Sequence, residues 1–280
     1  MKRLICLLCV IALALTLASC KKADGESTAA TDTTETTVEE IELTDDIIAD
    51  ILSFRQEEKW DVTATSMRSI VDDGDEDTTQ GSYIGFDGAR IPGEKGNLYK
   101  GNTIAMNTAF SIPIEYELYY YDGWGYQIYR DATVEELNSY ERYETTEEYF
   151  LSDFDGIVPT FASEEEMRMG TASKTEDGVI MVNVPLGEGR ARDELLADVE
   201  LIAGNNGVSV DDISVDAVAV SYAVKDGELV EFIGSYELSF YVESGAHRVF
   251  TFEKVVVINA LGDDVETFTL PEDCDEYEIL

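Results

Sequence analysis

Alternation of apolar and polar residues is clearest in the last third of the chain. Tyr236, Leu238 and Phe240 alternate with polar positions such as Glu237, which is the two-residue period of a strand with one packed and one solvated face. Dipeptides that end in glycine separate the alternating segments, and such short connections favour antiparallel neighbours. The pattern predicts a β-meander of three long strands and a short fourth one, at 213–224, 228–242, 247–260 and 265–270.

The middle of the chain carries further strand-like segments between glycine-containing and acidic turns. They are rich in β-branched and aromatic residues, as strands generally are. Asp122-Gly123 is the strongest hairpin signal among these turns. The predicted strands are 62–70, 78–86, 98–112, 113–121, 125–129, 165–174 and 178–184.

Three segments carry helix signals instead. Thr44, Asp45 and Asp46 precede isoleucines at helical spacing, which is the pattern of a capped amphipathic helix. The predicted helices are 44–58, 133–154 with breaks, and 191–203. Helices and meanders that follow one another in this way predict an α+β fold.

The N-terminal segment predicts secretion and lipidation. Lys2 and Arg3 precede an apolar run at 4–17, which suits a secretory signal and is shorter than the roughly 20 residues that span a bilayer. Leu17-Ala18-Ser19-Cys20 resembles the lipobox of bacterial lipoproteins, which implies cleavage after residue 19 and acylation of the Cys20 thiol. The alternative is an ordinary signal peptide with a chance cysteine.

The predicted signal peptide and lipobox divide the chain into three parts. Residues 1–19 are the predicted signal peptide, and 20–40 are a lipidated cysteine with a flexible tether rich in acids and threonine. Residues 41–280 are the predicted single folded domain. The protein is expected outside the cytoplasm, anchored to a membrane through Cys20. The anchor is expected on the outer face of the plasma membrane, or in the outer membrane where a cell has two membranes.

The charge excludes some partners. The chain has 19 Lys+Arg against 59 Asp+Glu, for a net charge of −40. A polyphosphate would be repelled, so we expect no nucleic-acid partner.

Four turn segments punctuate the predicted elements: Tyr119-Tyr-Tyr-Asp-Gly-Trp124, Lys225-Asp226-Gly227, Gly262-Asp-Asp and Leu270-Pro271-Glu272-Asp273. With the element order over roughly 45–275, they resemble the LolA/LolB-like lipoproteins and related lipid-carrying lipoproteins. It implies a curved antiparallel sheet that forms an open half-barrel, with helices packed on the concave face. It also implies an apolar cavity that holds acyl chains.

An aromatic hairpin is the most distinctive local feature. Tyr116, Tyr120, Trp124 and Tyr126 are the predicted ligand-binding residues, because such rings suit the lining of a groove for acyl chains or sugar rings. The alternative is cross-strand aromatic pairing that only stabilises the sheet.

No residue pattern points to catalysis, a metal or a cofactor. His247 is the single histidine and lacks the partners of a hydrolase constellation. The acidic turn 72–77 does not have the spacing of a calcium-binding EF-hand loop. Cys274 is expected to have no disulfide partner once Cys20 is acylated.

The sequence therefore predicts a non-catalytic envelope lipoprotein that binds a lipid or another hydrophobic ligand in a half-barrel cavity. Two alternatives stay open. One is a glycan-binding or adhesion module that uses exposed tyrosine and tryptophan, and the other is a structural or protein-interaction lipoprotein.

Overall fold

The computed structural model describes one compact unit, Val38–Leu280. Within it, the described residues are 38–72, 75–107, 110–130, 134, 137–153, 162–187 and 196–280. The predicted signal peptide, lipobox and most of the predicted tether lie outside them.

The described residues form thirteen strands in one sheet. These are β1 (Val38–Ile41), β2 (Trp60–Asp72), β3 (Asp75–Gly93), β4 (Gly96–Asn107), β5 (Phe110–Tyr121), β6 (Trp124–Tyr129), β7 (Ser139–Glu144), β8 (Thr171–Thr175), β9 (Ile180–Pro185), β10 (Ser214–Lys225), β11 (Glu228–Tyr241), β12 (His247–Leu261) and β13 (Glu278–Ile279). The described α-helices are α1 (Asp45–Ser53), α2 (Glu147–Asp153), α3 (Glu164–Met167) and α4 (Leu196–Asn206).

The sheet is open and curved, and it makes up most of the fold. Its order is β1-β8-β9-β10-β11-β12-β2-β3-β4-β5-β6-β7-β13. Each described strand pair is antiparallel except β7 with β13, which is parallel. Two sequential meanders, β8 to β12 and β2 to β7, therefore join through the long β12–β2 pairing.

Turn chemistry fixes two of the hairpins. Asp122 and Gly123 have φ of 51° and 82°, and Asp226 and Gly227 have φ of 55° and 84°. Two successive positive φ angles are the geometry whose twist matches that of the flanking strands. The predicted hairpin at Asp122-Gly123 and the predicted β10–β11 connection are confirmed.

The start of α1 also matches its prediction. The Thr44 hydroxyl accepts a hydrogen bond from the Ile47 N–H, which satisfies one of the unpaired donors of the first turn. The helix ends at Ser53, and the 3₁₀ turn Phe54–Gln56 follows it.

One predicted strand, 98–112, is two strands. β4 ends at Asn107, which pairs with Phe110 at the start of β5. Pro113 was expected to start a new strand, but it lies inside β5 near an irregularity in the register. Proline has no N–H to donate, so it is tolerated where the ladder is interrupted.

Three other predictions were wrong in element type over part or all of their length. The segment 133–154 was predicted as helix but holds β7 and α2; 165–174 was predicted as strand but holds α3 and β8. Ser163 and Glu166 form a reciprocal capping box that starts α3. The segment 265–270 is not a strand. The predicted helix 191–203 corresponds to α4, which ends three residues later, at Asn206. Residues 191–195 lie outside the described residues.

The two faces of the sheet differ, as the alternation along β11 predicted. Tyr236, Leu238 and Phe240 are buried, whereas Glu237 and Tyr241 on the other face are exposed. Ser239, which shares the face of Glu237, is buried and departs from the prediction. We call the face that carries Tyr236 and Leu238 the core face.

Two separate clusters of buried residues lie on the core face. The α1 cluster joins Ile48 and Ile51 of α1 to strand residues that include Val62, Tyr222 and Phe232. At its centre, the Tyr222 hydroxyl accepts a hydrogen bond of 2.7 Å from the N–H of Ala162.

The α4 cluster is the second of these. It joins Val199, Ile202 and Ala203 of α4 to Leu238 and Phe250 of the sheet. Each cluster therefore has a helix of its own.

The C-terminal segment packs on the opposite face. Val265 and Phe268 pack with Ile91 and Leu98, and Tyr277 belongs to a third cluster. This explains why a segment that was predicted as a strand has no strand partner: its side chains cover the sheet instead. No helix in the described part of the chain has both the length and the apolar character needed to cross a membrane.

Candidate ligand-binding face

The β5–β6 hairpin divides the four predicted site residues between the two faces. Tyr126 lies directly opposite Tyr119, so the two share a face. Trp124, two residues from Tyr126, is on that face as well. Tyr116 and Tyr120 alternate with Tyr119 along β5 and lie on the core face. The structure therefore does not bring the four residues into one site.

Tyr120 is a packing residue of the α1 cluster. Its ring centroid is 5.3 Å from that of Phe150 on α2 and 6.0 Å from that of Tyr99. The Tyr99 hydroxyl donates to Glu147, which also accepts from the Asn97 side-chain amide at 2.9 Å. Burial first, and then the bond to Glu147, raise the pKa of Tyr99. This interlocked arrangement fixes α2 over the Tyr120 ring.

Trp124 contacts a neighbouring strand of the sheet, and Tyr126 contacts the C-terminal segment that covers the opposite face. The Arg142 guanidinium carbon lies 5.2 Å from the Trp124 ring centroid, which is within cation–π distance. The Tyr126 and Tyr277 ring centroids are 6.3 Å apart, and Cys274 belongs to the same cluster. Burial is the largest cause that raises the pKa of Tyr126 to about 12.

Tyr116 has a different position, at the margin of the α1 cluster. It is half-buried and packs against the cluster from outside. Its ring centroid is 5.6 Å from that of Tyr129, and Thr103 is its partner on β4. Of the four predicted residues, Tyr116 is the one that combines the core face with partial exposure.

A strip of non-cluster residues separates the two clusters on the core face. Gly234, Lys254 and Ser66 are direct cross-strand neighbours on β11, β12 and β2. None of the three belongs to either cluster. On each of the three strands the strip lies between a residue of the α1 cluster and a residue packed in the α4 cluster. These pairs are Phe232 and Tyr236 on β11, Val256 and Phe252 on β12, and Ala64 and Ile70 on β2.

The strip is more polar than the clusters, and Ser66 within it is buried. Val256 and Phe252 are four residues apart, about 13 Å along β12, and Lys254 is the single core-face residue between them. Gly234 contributes no side chain, and a Cβ placed there meets the Phe232 ring at 3.7 Å, an ordinary contact. Lys254 is half-buried.

The strip continues beyond these three residues. Ile84 on β3 is the cross-strand neighbour of Ser66 and is half-buried. Arg68, two residues from Ser66, lies with its guanidinium carbon 5.2 Å from the Phe252 ring centroid. Among the described core-face residues two positions or fewer from Lys254 along β11, β12 and β2, none is acidic.

Sequence reasoning missed this strip, although its signal is present. Phe252, Lys254 and Val256 occupy successive positions on one face of a strand. A lysine at the middle position of three, between two large apolar residues, breaks the pattern that otherwise identifies a packed face.

A buried carboxyl group lies on the opposite face. Glu231 has Ala223 and Val257 as its cross-strand neighbours and is 6% exposed. Among the described residues its Oε1 has no hydrogen-bond partner, and burial raises its pKa to about 7. A carboxyl group of this kind is partly protonated at neutral pH.

The other candidates from the sequence form no site in the described residues. His247 lies at the β11–β12 connection, with its ring centroid 4.9 Å from that of Tyr241. Asp73 and Gly74 of the acidic turn lie outside the described residues. In the described part of the chain, no group of three His, Cys, Asp or Glu side chains is placed to hold a metal ion. The expectations of no catalysis, metal or cofactor stay predictions.

Comparison with known proteins adds no family. No protein-family model and no curated protein matches the chain. A solved structure from a study of the in-meso crystallization of membrane proteins aligns at 7% identity over 71% of this chain and 84% of its own, with a TM-score of 0.15. The N-terminal dehydratase of the difficidin assembly line aligns at 10% identity over 80% of this chain and 93% of its own, with a TM-score of 0.12. Scores this low carry no argument, and the resemblance to LolA/LolB-like lipoproteins stays a prediction.

Proposed function

We propose that this protein is a non-catalytic lipoprotein of the bacterial envelope that binds a lipid or another hydrophobic ligand on the core face. The strip of Gly234, Lys254 and Ser66 between the two clusters is the observation that carries the proposal. In this proposal the core face is the concave side of an open half-barrel, and the ligand lies between α1 and α4. Cys20 carries the membrane anchor.

The distribution of burial supports a groove there. Helix α1 contributes Ile48 and Ile51 to one cluster, and α4 contributes Val199 and Ile202 to the other. A well-packed single core would place large apolar residues between them as well. Instead the strip holds a glycine, a serine and a lysine, so an apolar ligand adds buried surface that the protein does not supply itself, at about 25 cal/mol per Å².

The aromatic hairpin supports the glycan alternative less well. A sugar-binding platform needs open ring faces, and each of the four predicted rings has a protein neighbour. Tyr116 has Tyr129, Tyr120 has Phe150, Trp124 has Arg142, and Tyr126 has Tyr277.

A substitution that fills the strip tests the proposal. We expect Gly234→Leu to weaken the binding of a fluorescent fatty-acid probe by tenfold or more, because the new side chain occupies the ligand's place. The Cβ itself fits at 3.7 Å from Phe232, so the fold is expected to remain. The measurement is a fluorescence titration of the predicted mature chain, 20–280, with Cys20→Ser in all samples.

Gly187→Leu is the matched control, because Gly187 is exposed and a Cβ there has open space around it. It should bind the probe as the parent chain does. If the parent chain binds no probe, or if Gly234→Leu and Gly187→Leu bind equally well, the proposed site is wrong.

A further inference from the structure

We infer that Glu231 is a pH-sensitive switch in the β10–β11 hairpin. While its carboxyl group is protonated, the turn end of the hairpin stays closed, and ionisation opens that end so that water reaches the carboxylate. The turn end consists of 222–225 on β10 and 228–231 on β11. No ligand of the core face takes part in this step, which therefore goes beyond the proposed function.

The Glu231 carboxyl group lies in an apolar setting. Ala223 and Val257 are its cross-strand neighbours, and the residue is more than nine-tenths buried. Among the described residues its Oε1 accepts no hydrogen bond. A carboxylate there loses hydration that nothing replaces, so burial raises the pKa of Glu231 to about 7. Both ionisation states are therefore populated around neutral pH.

The charged residues that share the face of Glu231 do not favour its carboxylate. In the register of that face they are Glu228 and Glu237 on β11, Lys225 on β10, Glu253 on β12, Asp61 on β2 and Asp87 on β3. Strand β9 contributes none. All of them except Lys225 are acidic, and burial, not a neighbouring charge, raises the pKa of Glu231.

The backbone beside Glu231 is irregular. Ala223 pairs with Glu231 and Val224 pairs with Leu229, so Val230 is the extra residue of a bulge in β11. A bulge interrupts the ladder of hydrogen bonds and redirects the neighbouring side chains. The exposed turn at Asp226-Gly227 ends three residues before Val230. Only a few residue pairs therefore have to separate before the Glu231 carboxylate reaches water.

Opening of the turn end changes the α1 cluster. Leu229 and Phe232 lie on either side of Glu231 in sequence and belong to that cluster, as do Tyr222 and Val224 on β10. Helix α1 packs on both strands. Ionisation of Glu231 therefore weakens the support of α1 on the core face.

Hydrogen exchange measured by NMR at pH 5 and pH 8 tests the switch, on the predicted mature chain 20–280 with Cys20→Ser. We expect the protection factors of the turn end to fall roughly 70-fold from pH 5 to pH 8 in the parent chain. This factor follows from a pKa of 4.5 for Glu231 in the open state and about 7 in the closed state. In Glu231→Gln, which mimics the protonated group, the fall should be less than threefold.

The β5–β6 hairpin is the internal control, because its Asp122-Gly123 turn has the same pair of positive φ angles. Its amides at 119–126 should change by less than threefold between the two pH values. Glu228→Gln is the matched variant, because it removes an exposed carboxyl group at the same turn as Glu231. It should keep the full fall at the β10–β11 turn end.

Low concentrations of urea separate local opening from unfolding of the whole chain, because urea favours a state in proportion to the surface that it exposes. The switch predicts that protection at the β10–β11 turn end depends little on urea. A fall that survives in Glu231→Gln overturns the switch. Equal falls in the two hairpins, with strong urea dependence in both, also overturn it, because Glu231 then acts only on the stability of the whole fold.

Discussion

Gly88→Ala is expected to destabilise the fold by about 3 kcal/mol, within the range for expelling a buried phenylalanine or overpacking a core. A Cβ at Gly88 would lie 1.9 Å from the Phe86 ring, and one at Gly101 would lie 2.2 Å from it. The ring thus lies flat over two glycines that face each other on β3 and β4, and any larger residue displaces it from the α1 cluster. The measurement is the midpoint of urea denaturation.

Gly85→Ala is the matched control on the same strand. Gly85 lies on the opposite face, where its Cβ would meet the tip of the half-buried Tyr83 side chain at 3.0 Å. That side chain can move, so the cost should stay below about 1 kcal/mol. Equal losses for the two variants would contradict the packing of Phe86 described above.

Glu231→Gln is expected to stabilise the protein above pH 7 by up to about 3 kcal/mol. This value follows from a difference of roughly 2.5 between the pKa of Glu231 in the folded and unfolded states, at about 1.36 kcal/mol per pKa unit. Burial raises the pKa of Glu231 to about 7 in the folded state from 4.5. The folded protein therefore holds the proton between pH 4.5 and 7 while the unfolded chain has lost it. The contribution of this group to stability is full below pH 4.5, falls as pH rises towards 7, and is lost above 7.

Unfolding free energies of the parent and variant chains at pH 5 and pH 8 check this prediction. The advantage of Glu231→Gln should be small at pH 5 and large at pH 8. Glu237→Gln, an exposed site on the same strand and face, should show no such pH-dependent gain. A stability difference between Glu231→Gln and the parent that is the same at both pH values would refute the assignment of a buried, protonated Glu231.

Short-range sequence patterns predicted the hairpins, but they could not predict which strands distant in sequence pair with each other. The Asp-Gly turns and the alternation along β11 follow from short-range geometry, because φ angles and face preference depend on neighbouring residues. The pairing of β12 with β2, which places Val256 beside Ala64, joins segments far apart in sequence, and no turn specifies it. The same holds for β1, whose pairing with β8 brings Val38–Ile41 into the sheet and includes residues that were predicted as tether.

The four aromatic residues were predicted as one site, and the register of β5 and β6 divides them between two faces. The burial of each ring depends on what covers its face. Phe150 of α2 and Tyr277 of the C-terminal segment provide that cover, and neither contact follows from local periodicity. The sequence shows that Lys254 interrupts an apolar pattern. Its position at the boundary between two clusters follows only from the register of β11, β12 and β2.

Mass spectrometry of the predicted mature chain is the most direct test of the central claim. The Cys20→Ser chain 20–280 is expressed in bacteria, purified without detergent, and measured under native and then denaturing conditions. The account predicts an extra mass of lipid size that is lost on denaturation and is absent from the Gly234→Leu variant. A bare protein mass in the native spectrum, together with no uptake of added hexadecanoate, would contradict it.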